Sequence, residues 1–426
     1  MRETVSSPPG VGLRNMSVSR LNVSQLMTMD ATPRTEAFLE RHVGSVAPDQ
    51  LSRTIDLARI ALIVGIVFLH YGMYPNFQVS PFGGVSVDEH EIAMFVNSFL
   101  LFFFFSVVPL LSMISGWLFF AFMRDPGADA RPALRTRITR RFWSLYVPLV
   151  LWNLLYLLVL AAVFAVAPGH ALFKSLNVSF HDAGAREFLN AILAINHHPL
   201  AFQFWFVRDL FLTVLLSPLL WLLLRKAPWL GAFALGVVWL CNFDLAIFFR
   251  PDVLFFFYLG GLLRSRGARL GISWQATRWL IGIYIVLVSA RALAPYVIDE
   301  STALLSVATR GMRLIGVLAC WGFFLKVPTL PLGIRAARWG ALAFFLYALH
   351  FPLMAEIKLL LWDALPRIND FWMVTHYLAS VVTTIVLALG TGVLMSRQAP
   401  RVFALFNGGR EPAREIPEVR RETRPL

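Results

Sequence analysis

A chain of 426 residues that is 58% hydrophobic, 14% aromatic and only 15% charged, with a mean hydropathy of +0.65, is too apolar for a soluble globular domain. Its net charge of +13 would suit nucleic acid, but the basic residues fall in loops and tails between apolar segments. Membrane topology explains them, so the class is an all-α integral membrane protein and no nucleic-acid partner is expected. Residues 1–50 hold no apolar run of signal-peptide length and read as a polar tail, with a short helix near Thr35 to His42. Asn15, Asn22 and Asn177 each begin an Asn-x-Ser triplet, a pattern too common by chance to carry weight.

The first apolar stretch, Thr54 to Pro75, is long enough for the roughly 30 Å hydrocarbon core, yet it contains Asp56, Arg59 and His70. An ionisable group at bilayer depth costs about 2.5 kcal/mol or more, which asks for a reason. Arg59 and His70 are eleven positions apart, so they share one helix face about 16 Å apart along it. A guanidinium near one surface and an imidazole near the other could hold a long, charged-headed ligand lengthwise, its reactive end beside the histidine. A polar stripe packed against neighbouring helices is the alternative.

Next comes an acidic loop, Asn76 to Glu91, and a very apolar segment from about Ile92 to Met123 with room for a break at Pro109. Arg124, Arg131, Arg135, Arg137, Arg140 and Arg141 then crowd a short loop before a third span, Phe142 to Ala167. A polar loop from Pro168 to Ala201 carries His170, His181, His197 and His198. Further spans are expected at Phe202–Leu224, Trp229–Phe243, Pro251–Leu263, Thr277–Ala294, Thr302–Phe324, Trp339–Leu361 and Phe371–Met395, about ten in all. Cys241 and Cys320 lie in or beside apolar spans and offer neither a disulfide framework nor metal-ligand spacing, so no metal is expected.

Of the 38 Lys+Arg, only Lys174, Arg186, Arg250, Arg291, Arg310, Arg313 and Arg367 fall in outer loops when both tails are placed inside, and Arg59, Arg208 and Lys358 fall within spans. The bias predicts both termini in the cytoplasm: a polar N-terminal tail (1–50), a transmembrane domain (51–397) and a basic C-terminal tail (398–426). On that orientation Arg59 is near the inner surface. His70, Arg208, Asp209, Glu356 and His376 all lie toward the outer one. Arg208 with Asp209, or Glu356 with Lys358, could instead only neutralise each other, although near neighbours on a helix face different ways. His350, followed by the kinking Pro352, reads equally as a packed or a catalytic histidine.

These residues resemble a family. Arg59, ten residues, then His70 is similar to the first-span signature of the acyltransferase-3 family of membrane acyltransferases. Ser115-Gly116-Trp117 resembles its Ser-Gly-Phe element, with Trp in place of the usual Phe, and Arg140-Arg141-Phe142 with Tyr146 and Pro148 resembles its basic loop. Trp205 to Leu210 with Ser217-Pro218 is similar to the fourth-span pattern of polysaccharide-modifying members, and Phe345-Leu346-Tyr347 with His350 and Pro352 to the ninth-span pattern. The resemblance covers about residues 51–397. It implies ten spans in the cell (inner) membrane, a cytoplasmic acyl-CoA donor, with acetyl-CoA expected, and transfer of an acetyl or other short acyl group to a hydroxyl of a surface or secreted glycan or its lipid-linked precursor. Membrane lipid is the remaining partner.

The chemistry suits the residues. His70 could act as general base or acyl carrier. Arg59, Arg140 and Arg141 could hold the CoA phosphates, although surface arginines also set topology. Arg208, Asp209, Glu356 and His376 are the candidate acceptor-binding residues. A multi-spanning transporter is the alternative class, but no internal repeat with matching broken spans is found. The His-x4-Asp pattern of another acyltransferase class is absent at all nine histidines. A different histidine-based membrane acyltransferase fold and a non-enzymatic scaffold complete the alternatives.

Overall fold

The computed structural model describes residues 42–75, 80–83, 90–125, 129–170, 173, 176 and 178–410. The expected helix near Thr35 to His42 lies outside these residues except for His42, as do all three Asn-x-Ser asparagines and most of both tails. The regular structure of the described chain is helical apart from one two-residue antiparallel pairing, β1 (Val43–Gly44) with β2 (Gly271–Ile272).

Helix α1 (Pro48–Tyr71) starts with proline at its first position, where the missing N–H costs nothing. Then follow α2 (Glu91–Phe104) and α3 (Val107–Phe119). They are separated at Phe105 and Ser106, because the ring of Pro109 clashes with the carbonyl four residues back and offers it no N–H. After α4 (Ala130–Arg141), a widened π turn over Phe142–Tyr146 absorbs the same defect at Pro148 and leads into α5 (Val147–Val166). The short α6 (Ala185–Leu193) lies in the polar loop. Helices α7 (Trp205–Leu215) and α8 (Ser217–Lys226) are one apolar segment that, taken from Phe202, is bent by 58° just before Pro218.

The second half comprises α9 (Pro228–Leu240), α10 (Pro251–Ser265), α11 (Trp274–Leu293), α12 (Ala303–Lys326), α13 (Pro331–Ala337), α14 (Ala343–Ala364), α15 (Asp370–Gln398) and α16 (Pro400–Phe406). Among the described residues seven helical stretches are long and apolar enough to cross a membrane, or eight if the bent pair is one span. The expected fifth and sixth spans account for the difference from ten. They are α9 and α10, of 13 and 15 residues, about 20–22 Å long and short of the bilayer core.

Helix α1 is the hub, packed on α2, α3, α12, α13, α14 and α15. Its buried Ile60, Ile63, Ile66 and Val67 anchor the main core. Helix α10, buried along nearly its whole length, lies against α3 at backbone contact distance. A side chain at Gly116 would strike the carbonyl of Phe257, and one at Gly260 the carbonyl of Met113. The glycine after Ser115 is thus explained by close helix approach, the small-residue device of membrane helix packing. Outward-facing Leu158, Val166, Phe233, Trp279, Val286 and Val386 are 60–88% exposed, a surface suited to lipid rather than water.

Candidate active site

The C-terminal end of α1 holds His70 against α14. His350 Nδ1 lies 2.7 Å from the Tyr347 carbonyl oxygen, and His350 Nε2 lies 2.9 Å from His70 Nδ1. A carbonyl only accepts, so the neutral His350 carries its proton on Nδ1 and accepts at Nε2. His70 must then donate from Nδ1. That leaves its Nε2 with a free lone pair, the requirement for a base or nucleophile. Phe202 and Phe351 meet the His70 ring edge-on at 6.1 and 5.5 Å, fixing its plane. His350 is fully buried and meets the site through its contact with His70; the sequence left it undecided, because a histidine beside a helical proline has two ordinary uses.

The end of α1 is tied down by a second network. Lys358 donates from Nζ to the carbonyls of Tyr71 at 3.0 Å and Met73 at 2.9 Å, and so caps the helix terminus. His376 Nε2 lies 2.9 Å from the Lys358 carbonyl and its Nδ1 2.9 Å from the Tyr71 hydroxyl. Both ring nitrogens of His376 are engaged internally and the residue is buried. Its place is support of the His70 turn. Lys358 does not pair with Glu356, which instead meets His170 at 4.0 Å.

Arg208 and Asp209 are likewise bonded internally. Arg208 donates from Nε to Ala194 O at 2.9 Å, from Nη2 to Ile195 O at 2.6 Å, and from Nη1 to Ile247 O and, at 2.9 Å, to Asp209 Oδ1. The second Asp209 oxygen accepts from the Arg250 backbone N–H at 3.0 Å. Adjacent residues do face apart on a helix, but the arginine is long enough to fold back to its neighbour. The pair fastens two loops to α7 and offers a ligand little. Residues at one depth need not face one space.

His70 lines a cavity of about 300 Å³ with Phe105, Phe202, Gln203, Trp205, Phe206, Tyr347 and a charged wall of Arg250, Asp252 and Arg313. Neither Arg208, Asp209, Glu356 nor His376 lines it. Toward the other end of α1 lies a larger cavity of about 740 Å³, walled by Arg53, Arg59, Arg141, Arg338 and Arg410, with Asp56 the single carboxylate among the described residues. Arg59 and Asp56 are each near half-exposed and joined at 3.1 Å, a pair too wet to neutralise the site. Arg410 is packed under the Phe344 ring at 4.7 Å; burial, then the fields of Arg141 and Arg59, push its pKa down to about 9. Such crowded like charge is what an anion relieves. Arg140 does not join it: one residue along α4 turns about 100°, which puts Arg140 on the exposed face.

Phe206 and Tyr347 line both cavities. Their rings meet edge-on at 6.3 Å, and the Tyr347 hydroxyl donates to the Gln203 carbonyl. Arg59 and His70 thus share a helix face but open on two spaces divided by this aromatic pair.

A family model described as an acyltransferase domain matches residues 53–393. The chain belongs to the acyltransferase-3 family. It is also similar to the succinoglycan biosynthesis protein ExoH of Rhizobium meliloti (strain 1021), with 26% identity over 367 residues, 86% of this chain and 94% of that one. No solved structure matches it. Family membership and the apolar helices together make this acyltransferase-3 protein an integral membrane protein. The match takes in the His70 cavity, the partition and, from Arg53 onward, the wall of the larger cavity except Arg410.

Proposed function

We propose that this chain is an O-acyltransferase that moves an acetyl or other short acyl group from acyl-CoA, taken from the cytoplasm, to a hydroxyl of an extracytoplasmic glycan or of its lipid-linked precursor. The observation that carries it is the His70–His350 pair, which leaves His70 Nε2 free in a lined cavity. The likeness to a protein named for succinoglycan biosynthesis supports a polysaccharide acceptor. The positive bias of loops and tails supports an inner-membrane protein with both termini in the cytoplasm, its ten crossings reached by counting the short α9 and α10.

On this reading the donor phosphates sit among Arg53, Arg59, Arg141, Arg338 and Arg410, whose planar forks match phosphate oxygens. The pantetheine arm passes Phe206 and Tyr347 into the His70 cavity. There the acceptor hydroxyl gives its proton to His70 Nε2 as its oxygen attacks the thioester carbonyl. The C–S bond then breaks and the CoA sulfur takes that proton. Alternatively Nε2 attacks first, the C–S bond breaks and CoA leaves as its thiolate from an acyl-imidazole; the hydroxyl then takes the acyl group, freeing Nε2, and its proton goes to the thiolate. Rapid quench with labelled donor separates the routes, since only the second leaves label on the protein.

The test compares acyl transfer by purified wild-type and His70→Ala protein at matched amounts. The expected loss is about 10²- to 10⁴-fold. A mutant retaining more than about a tenth of wild-type activity, too small a loss for a general base, sinks the proposal.

A further inference from the structure

The His70 cavity carries one cation more than its own carboxylates neutralise. Asp252 is shared between Arg313, its ion-pair partner, and Trp239 Nε1 at 2.9 Å, while Asp209 is taken by Arg208. Arg250 remains. Its backbone N–H is used by Asp209, but its guanidinium lies over the Trp205 ring at 5.1 Å and, among the described residues, has no carboxylate or hydrogen-bond acceptor of its own. Arg313 Nε, on the same wall, is buried without a hydrogen-bond partner among the described residues. The Arg250 side chain is exposed and lines the cavity, so it is open to a ligand, and its planar fork fits a carboxylate through two parallel hydrogen bonds.

The cavity itself narrows what that anion is. The polyphosphate end of a nucleotide donor already has five guanidiniums in the other cavity, and about 300 Å³ beside His70 leaves room for reacting groups only. We propose that the His70 cavity binds a carboxylate at Arg250, borne by one of the two reacting partners: a short dicarboxylic acyl group, or an acidic sugar of the acceptor. This deepens the acyl-transfer reading and rests on it. With His70 Nε2 at one side of the space and Arg250 at another, the carboxylate anchors the partner whose other end meets the histidine.

Binding to the purified full-length protein tests this without turnover. Two pairs of probes differ only in charge: monomethyl succinate against dimethyl succinate, and methyl glucuronide against methyl glucoside. The charged member of one pair is expected to bind about tenfold or more tighter than its neutral twin, the scale of one charge-assisted hydrogen bond. Preference within the succinate pair assigns the carboxylate to the acyl group, and within the sugar pair to the acceptor. Arg250→Gln should abolish the preference, and Arg250→Lys, which keeps charge but not the fork, should retain a reduced one. No preference in either pair, or one that survives Arg250→Gln in folded protein, overturns the proposal; if the glutamine variant does not fold, an undiminished preference in Arg250→Lys does so. His70→Ala should keep the binding preference while losing transfer. Continued transfer by that variant would instead remove the acyl-transfer reading, leaving the binding data to be judged separately.

Discussion

The two ends of α1 solve opposite problems. At the His70 end most polar groups are satisfied one by one: His70 Nδ1 by His350, His350 by a carbonyl, Lys358 and His376 by the turn they hold, Arg208 by three carbonyls and Asp209. What stays open there is His70 Nε2, the Arg250 guanidinium and Arg313 Nε. At the Arg59 end, five guanidiniums face open space with one carboxylate among them. A group whose every hydrogen bond is internal keeps its geometry but cannot take a ligand. A cluster of unspent charge can take one, and shares the work among its members. Mutations should therefore be severe at the first end and graded at the second.

The largest effect is expected at Arg208. Its loss as Arg208→Met leaves Asp209 fully buried without its cation and three carbonyls without that donor, which should cost about 3–5 kcal/mol. The check is thermal unfolding and monodispersity in detergent. A variant as stable as wild type would show that the pair is dispensable and reopen the case for Arg208 as an acceptor ligand. Less severe, and confined to chemistry, is His350→Phe. Without an acceptor at His70 Nδ1 the ring is free to flip tautomer and rotate, so kcat should fall by roughly one to two orders of magnitude with the donor KM unchanged. His350→Gln, whose carbonyl oxygen can accept the same proton, should recover part of it. Equal loss in both variants would mean that His350 acts only by filling volume.

At the open end, Arg59→Ala or Arg410→Ala should raise the donor KM by about tenfold each while kcat holds, the worth of one charge-assisted hydrogen bond among several. High salt should shrink the difference, because part of it is long-range attraction. An unchanged KM in both variants would detach this cavity from the donor.

How far these contrasts were legible in the sequence depends on range. Apolar runs interrupted by Arg59 and His70 are local signals, and the first-span signature was readable from spacing alone. The breaks at Pro109, Pro148 and Pro218 follow from the proline ring. What depth could not supply was facing. Arg208, Asp209, Glu356 and His376 belong to the same level as His70 by span position, yet packing turns them away from its cavity and brings Arg250, Asp252 and Arg313 instead. The partition by Phe206 and Tyr347 was likewise hidden, since it joins residues far apart in the chain that look like ordinary core aromatics. Arg53, Arg338 and Arg410 were counted as topology signals, which every arginine at a membrane surface resembles.

The smallest effect, and the sharpest test of facing over composition, is the neighbouring pair on α4. Arg140 and Arg141 carry the same charge on the same helix, and a purely electrostatic account of donor attraction would treat them alike. Only Arg141 lines the cavity; Arg140 lies on the exposed face, where water and salt screen it. Arg141→Ala should therefore behave like Arg59→Ala, with a donor KM raised about tenfold, and Arg140→Ala should stay within about twofold of wild type. Insertion should be unaffected in both, because Arg124, Arg131, Arg135 and Arg137 still hold the loop on its side. Measuring donor KM for the two alanine variants at low and high salt decides it. Equal shifts that vanish together in salt would mean that the loop attracts the donor as a diffuse charge, and that the cavity does not select which arginine it uses.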